Sequence, residues 1–221
     1  MALDYFSLGH PLVRVRSHFA LGARKRMFER FMEEMRPSSV CSILDLGVTP
    51  DSSLPESNFF EKLYPYPQQI TACSIEDASF LEREFPGVRF VQVGKGRLPF
   101  ADDEFDVLFC SAVLEHVGTR EDQSFFLSEI ARVSRRAFLT TPNRWFPVDF
   151  HTMLPLIHWL PQGVHQRLLR LFGHDFLSRT ENLNLLGRRD VLALLPDIAK
   201  VQIHVNRLFG IASNLMVCIE K

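Results

Sequence analysis

The chain has no long hydrophobic run. Its most apolar late stretch, MLPLIHWLP, is short and broken by Pro155 and Pro161, so no transmembrane segment is expected. It has no excess of one charge. Lys and Arg number 25 against 26 Asp and Glu, for a net charge of -1, and no global field draws it to nucleic acid or a membrane. It has few cysteines. Cys41, Cys73, Cys110 and Cys218 show no metal-ligand spacing. They read as small buried hydrophobes in a reducing cytoplasm, with no metal expected. The start, MALDYFSLGHPLVRVRSHF, carries Asp4 and lacks the apolar core of a secretory signal. There are no repeats and no low-complexity tract. No G-x-G-x-x-G follows the first apolar run, which argues against a nicotinamide-dependent oxidoreductase.

What is present suits one α/β domain over 1–221. The 221 residues are 46% hydrophobic, enough for a sizeable core. Residues 17–35 predict a helix, with Phe19, Ala23, Met27, Phe31 and Met35 on one stripe and Pro37 ending it. Arg14, Arg16, Arg24, Lys25, Arg26 and Arg30 crowd this segment, as a solvated face or a contact for something anionic. Strand and helix signals then alternate. Strands are predicted at 40–46, 69–75, 88–93, 105–110 and 137–141, and helices at 58–63, 77–84 and 120–133. Thr119 caps the last of these by accepting the Asp122 amide, and Phe126, Ile130 and Val133 form its inward stripe. After a stretch rich in aromatics, histidine and proline come a helix at 188–195 and two strands, 201–209 and 213–220, around Gly210. Alternation of this kind implies a mostly parallel sheet with helices on both faces.

Residues 98–117, LPFADDEFDVLFCSAVLEHV, are the most informative stretch. They read as a turn, a buried strand and a short helix at the strand's carboxyl end, the edge where open α/β sheets bind ligands. A Leu-Pro-Phe turn, a Phe-Asp strand start and a Leu-Glu-His helix at this spacing resemble the fourth-strand region of class I S-adenosylmethionine (SAM) dependent methyltransferases, in particular the broad bacterial type 11 group. The resemblance extends over about 40–221. It implies a Rossmann-like fold with a mostly parallel seven-stranded sheet and an antiparallel C-terminal strand. It also implies a helical cap at 1–37, a helical insertion at 144–186 over the acceptor site, and SAM as cofactor.

In ILDLGVTPD, Asp45 and Gly47 match the acidic-x-Gly start of the family's cofactor loop. A glycine there lets backbone amides approach the methionine end. The next expected glycine is absent, and Val48, Thr49 and Pro50 stand in its place, with Thr49 a candidate for bonding the carboxylate. The usual ribose-binding acid after the second strand is also missing at Ser74. Glu76 is on the same side of an extended chain and can replace it, or it can simply favour the following helix dipole. After the third strand Gly94 and Lys95 offer backbone groups to the adenine where relatives place an acid, and Cys110 and Ser111 complete the implied pocket. His116 stands where relatives place a residue near the transferred methyl. It is either a general base for an attacking hydroxyl or a structural histidine.

The segment TTPNRWFPVDFHT brings Asn143, Arg144 and His151 to the same edge as candidate acceptor residues. With PLIHWLP behind it, it resembles a motif of bacterial methyltransferases from surface-polysaccharide and glycan gene neighbourhoods. Arg144 can clamp a phosphate or carboxylate, and Trp145 and Trp159 either stack on a sugar or pack a lid. The implied activity is methyl transfer to oxygen of a small or glycan acceptor, anionic or lipid-linked, with polysaccharide biosynthesis as the setting. The alternative is a methyltransferase-like binding protein that has lost turnover, which the altered loop favours.

Overall fold

The computed structural model describes residues 11–52, 54–196 and 200–221, with residues 11–19 described by backbone alone. The first ten residues of the expected 1–37 cap, and the side chains of Arg14, Arg16 and Phe19, lie outside the described residues.

Seven strands form one sheet in the order β3-β2-β1-β4-β5-β7-β6. They are β1 (Ile43–Leu46), β2 (Ile70–Ser74), β3 (Arg89–Gln92), β4 (Phe105–Ser111), β5 (Ser134–Pro142), β6 (Lys200–Leu208) and β7 (Ile211–Glu220). The first five pair in parallel, and β7 runs antiparallel to both β5 and β6. The strand order changes direction at β1, which has β2 on one side and β4 on the other. This makes the carboxyl ends of β1 and β4 the expected crevice for a ligand.

Alternation along each strand sends side chains to two cores. On one face Ile43, Ile70, Val107, Phe109 and Phe138 meet α1 (Pro11–Met35) and α2 (Phe59–Leu63). Phe31 of α1 is fully buried there and packs edge-on against Phe60, Phe109 and Phe138, with centroids 5.2, 5.3 and 5.7 Å away. On the other face Leu44, Leu108, Cys110 and Leu139 meet Leu127, Ile130 and Val133 of α4 (Arg120–Val133) and Val191 of α6 (Arg188–Leu194). α3 (Leu81–Glu84) is a single turn that contributes Leu81.

The motif residues that suggested the fold are structural. Leu98 is buried, its N–H donates to Glu129, and Arg132 donates to the carbonyls of Leu98 and Phe100, so the Leu-Pro-Phe turn is tied to α4. Asp106 accepts from the Ser42 amide and hydroxyl and from Arg135, which aligns the amino ends of β1, β4 and β5. Thr119 caps α4 through Asp122 as expected, in a reciprocal box.

Several boundaries differ from the sequence reading. β1 begins at Ile43, not Val40, because pairing with β4 starts at Val107 and Val40 is left 79% exposed. The helix expected at 77–84 is reduced to Leu81–Glu84. The first helix extends back to Pro11. Among the described residues no helix is long and apolar enough to cross a membrane.

Between β5 and α6 the chain leaves the sheet and returns to the same place. Asn143 and Leu186 form a short parallel bridge, and the Arg144 amide donates to the Leu186 carbonyl at 3.0 Å. Between them lie a 3-10 turn (Ile157–Trp159) and α5 (Gln162–Leu171).

Candidate functional site

A cleft of about 150 Å³ opens at the carboxyl ends of β1 and β4. Asp45, Gly47, Val48, Thr49 and Ser111 line it, five of the nine residues expected to hold a cofactor. Gly47 has φ +100, and its N–H donates to the Cys73 carbonyl at 2.8 Å. A Cβ built there would fall 2.2 Å from Cγ2 of Val113. The glycine is therefore required by the left-handed backbone and by the close approach of the β4 turn.

The missing second glycine is replaced by a side-chain clasp. Asn58, itself at φ 47, accepts from the Thr49 N–H at 3.0 Å and donates to the Thr49 carbonyl at 2.9 Å. The Thr49 hydroxyl accepts from the Asp51 amide at 3.2 Å. The Thr49 N–H is thus committed inside the loop and does not face a ligand. Sequence reading missed Asn58 because its partner is nine residues away in a loop without periodicity. It also missed Phe59, Phe60 and Phe109, which line the same cleft together with Arg24, a member of the basic cluster read as a solvated face or an anion contact. Arg24 lies over the Phe59 ring at 5.3 Å and donates to the Glu56 carbonyl.

Beneath the cleft, Asp45 and Glu61 are both buried. Burial, and then the neighbouring Glu61 carboxylate, hold Asp45 well above the ordinary carboxylate range, and burial raises Glu61 as well. Two carboxyl groups so placed do not both ionise at neutral pH.

The second group of residues forms where the β4 turn meets the segment after β5. Leu114–His116 is a 3-10 turn braced from α4, where the buried Gln123 amide donates to the carbonyls of Leu114 and Asn184. Glu115 is completely buried. Its Oε2 accepts from the Thr141 hydroxyl at 2.9 Å, its Oε1 has no hydrogen-bond partner, and Nε2 of His151 is 3.9 Å away. His116 is exposed, and its Nδ1 is 2.6 Å from the Asn182 carbonyl. That contact puts the proton on Nδ1 and the lone pair on Nε2. The rings of His116 and His151 meet edge to face at 4.9 Å. Asp149, also buried, bonds Nδ1 of His151 at 2.9 Å and accepts from Thr152 at 2.8 Å. Burial alone would raise the Asp149 carboxyl. The hydrogen bonds and charge of His151, with the Thr152 hydroxyl, outweigh it and hold Asp149 below the usual range.

The other expected residues are placed as follows. Glu76 is exposed, with its amide donating to the Ser74 hydroxyl at 3.3 Å. Gly94 and Lys95 are exposed beyond β3, and nothing lies within 4 Å of a Cβ built at Gly94. The Cys110 thiol is in the core on the α4 face, pushed up by burial first and then by the charges of Asp45 and Glu115, so only its backbone faces the cleft edge. Asn143 donates to the Ala212 carbonyl and accepts from the Trp145 amide. Arg144 donates to the carbonyls of His158 and Leu160 and lies over Trp145 at 5.6 Å. Trp145 and Trp159 are 54% and 40% exposed, with centroids 6.3 Å apart. A larger cavity of about 690 Å³ lies at the opposite, amino-terminal edge of the strands. Its walls are charges that pair with one another, Arg135 with Asp106 and Lys221 with Asp103.

Residues 55–137 match a family model described as a methyltransferase domain. No curated protein matches the chain by sequence. Among solved structures, a protein of Pyrococcus horikoshii OT3 shares 14% identity at a TM-score of 0.58, covering 98% of this chain and 95% of its own. A SAM-dependent methyltransferase of Methanosarcina mazei shares 15% at 0.51, covering 83% and 93%. The N-methyltransferase NodS of Bradyrhizobium japonicum WM9, in complex with S-adenosyl-L-homocysteine, shares 13% at 0.51, covering 89% and 85%. At such identities these structures speak for the fold. The fold is the Rossmann-like one of class I methyltransferases. With the match to a methyltransferase domain it makes the chain a methyltransferase enzyme.

The residues present fit SAM, the cofactor that the sequence resemblance implies. The tight turn at Gly47 lines the cleft with backbone, and Arg24 brings to it a positive charge suited to a methionine carboxylate. The cleft's roughly 150 Å³ falls short of the several hundred Å³ of a whole-ligand pocket. A whole ligand seated there would have to extend beyond the cleft.

Proposed function

We propose that the chain transfers a methyl group to an oxygen of a small-molecule or carbohydrate-like acceptor that is anionic or lipid-linked. Asp45, Gly47, Val48, Thr49 and Ser111 would hold SAM in the cleft, with Glu76 and the backbones of Gly94, Lys95 and Cys110 along its edge. When bound, SAM supplies an electrophilic methyl on a sulfonium sulfur. The observation that carries the reading is the meeting of this cleft, at Ser111 and Ala112, with the His116 turn a few residues further on. His116 presents an Nε2 lone pair to an acceptor hydroxyl and can take its proton. His151 stands beside it. Asn143 and Arg144, at the root of the 144–186 insertion, shape the acceptor entry.

The character of the insertion supports a lipid-linked acceptor. Trp159, Leu160, Val164, Leu171, Phe172 and Phe176 are all 38–77% exposed. Arg167 and Arg170 lie among them, also exposed. Large apolar side chains interleaved with arginine are the surface expected against anionic lipid headgroups. We read residues 1–37 and 144–186 as two helical covers on one methyltransferase domain.

The test is calorimetric titration with SAM and S-adenosylhomocysteine, followed by transfer of labelled methyl to lipid-linked and free glycan pools. Binding on the order of micromolar to millimolar is expected, with label entering an alkali-stable ether. Binding without label in any pool would favour a non-catalytic binding role. No binding would overturn the cofactor assignment.

A further inference from the structure

We propose that the insertion after β5 docks on an anionic membrane surface, with α5 lying flat among the lipid headgroups. Val164, Leu168 and Leu171 stand at i, i+4 and i+7 and so share one face of α5. Val164 is 44% exposed and Leu171 77%, and Phe172 and Phe176 continue the apolar surface past the helix end. The rest of the helix is committed. Leu169, on the opposite face, is fully buried. Gln162 and Gln166, one turn apart, donate to the Thr180 hydroxyl at 3.0 and 2.9 Å, and Nε of Arg170 donates to the Ser178 hydroxyl at 3.2 Å. The inner face and one flank therefore fasten α5 to the returning chain, and the apolar face is left toward solvent.

Charge decides what covers that face. The chain carries 26 Asp and Glu among 221 residues, yet none falls between Phe150 and His174. Arg167 and Arg170 are exposed in that stretch, and Arg167 is one helical turn from both Val164 and Leu171. A basic face without an acid has its complement in a uniformly negative surface. A helix with leucine, phenylalanine and arginine on its open side settles at the boundary between headgroups and acyl chains of an anionic bilayer. α5 has 10 residues, too few to cross a bilayer, so the contact lies in the plane of the surface. Both tryptophans of the chain, Trp145 and Trp159, belong to the insertion and are exposed. Indole rings favour the headgroup level.

The inference deepens the lipid-linked acceptor and rests on that reading for its purpose. A lipid-linked hydroxyl is held near the headgroups, and a docked insertion would bring the cleft to it. The insertion also touches the catalytic turn, because its Asn182 carbonyl is 2.6 Å from Nδ1 of His116.

The experiment mixes the full chain with vesicles of phosphatidylcholine, alone or with about 30% phosphatidylglycerol. Cosedimentation reads binding, and tryptophan emission reads the insertion directly. We expect partition onto the anionic vesicles to be tighter by about tenfold or more, and to weaken as NaCl rises from about 50 to about 500 mM. Emission should shift to the blue and be quenched by lipids brominated on the acyl chain. Arg167→Glu should weaken partition onto anionic vesicles roughly fivefold or more. The double variant Leu171→Ser, Phe172→Ser should weaken it roughly tenfold or more. Both variants change exposed positions, and circular dichroism checks their fold. Failure of the folded wild type to bind anionic vesicles, or undiminished binding by both variants, would overturn the docking face. So would a dimer in lipid-free solution that the double variant dissolves, since a second copy of the chain would then occupy the face. Methyl label entering lipid-linked glycans without vesicle binding would overturn the docking and keep the acceptor reading. Vesicle binding with label in free glycans alone would keep the docking and overturn the lipid-linked acceptor.

Discussion

Gly47 shows how a residue chosen for a ligand can be demanded by the protein itself. The first atom added to Gly47 would meet Val113 at 2.2 Å, and the backbone there is left-handed. Gly47→Ala should therefore destabilise by about 2–5 kcal/mol, from about 1–2 of backbone strain and about 1–3 of overpacking. Combining it with Val113→Ala should return part of the packing cost. Urea unfolding of both variants measures this, and an unchanged midpoint in Gly47→Ala would show that the turn relaxes freely. The Asp45–Glu61 pair makes a second residue-scale prediction. A carboxyl raised in the folded state keeps a proton that the unfolded chain releases. Its contribution to stability is present below the unfolded pKa, near 4, and is lost as pH climbs toward the folded value. Asp45→Asn removes that ionisation. Relative to wild type, the variant should gain stability as pH rises from 5 to 8. Parallel stability profiles for the two proteins would refute the shared-proton arrangement.

At the scale of elements, the insertion after β5 is separable from the sheet. Neither hydrophobic core contains a residue from 153–176. The root of the insertion is fastened by the Asn143–Leu186 bridge and the Arg144 amide. Deleting 153–176 and joining the ends with a short Gly-Ser linker should give a protein with native circular dichroism that still binds SAM and has lost methyl transfer. Global unfolding would instead place this segment in the core. The first helix is the opposite case. Phe31 sits at the centre of a ring cluster with Phe60, Phe109 and Phe138, so α1 is a wall of one core, and it reaches the cleft through Arg24.

For the whole molecule, the cofactor and the fold are linked by mass action. A ligand that binds only the folded state adds about 2.7 kcal/mol at a hundred times its dissociation constant. For a chain of this size each kcal/mol moves the midpoint by about 2–4 °C. Saturating S-adenosylhomocysteine should raise Tm by about 5–10 °C, read by scanning fluorimetry. A flat midpoint at millimolar ligand would contradict the cofactor assignment.

The order of strands and helices was determined by the sequence alone, because hydrophobic periodicity and capping are local. Val107–Cys110 is buried on both faces and reads as a continuous apolar run, and Thr119 reaches its partner three residues away. The same locality drew attention to Asp45, Gly47 and His116. Short elements were less legible. The 77–84 helix shrank to one turn and Val40 fell outside β1, since end residues depend on what their neighbours pair with. Only the tertiary structure decided what the site is made of. Asn58 closes the loop that lacks its second glycine, Glu61 comes to lie beside Asp45, and Asp149 aligns His151 against Glu115 and His116. Glu115 is the clearest case. It is buried because β4 and β5 end side by side and the returning chain at 182–186 closes over it, with the Asn184 amide on its carbonyl. No period or spacing encodes that closure, because it depends on two chain segments meeting at one sheet edge.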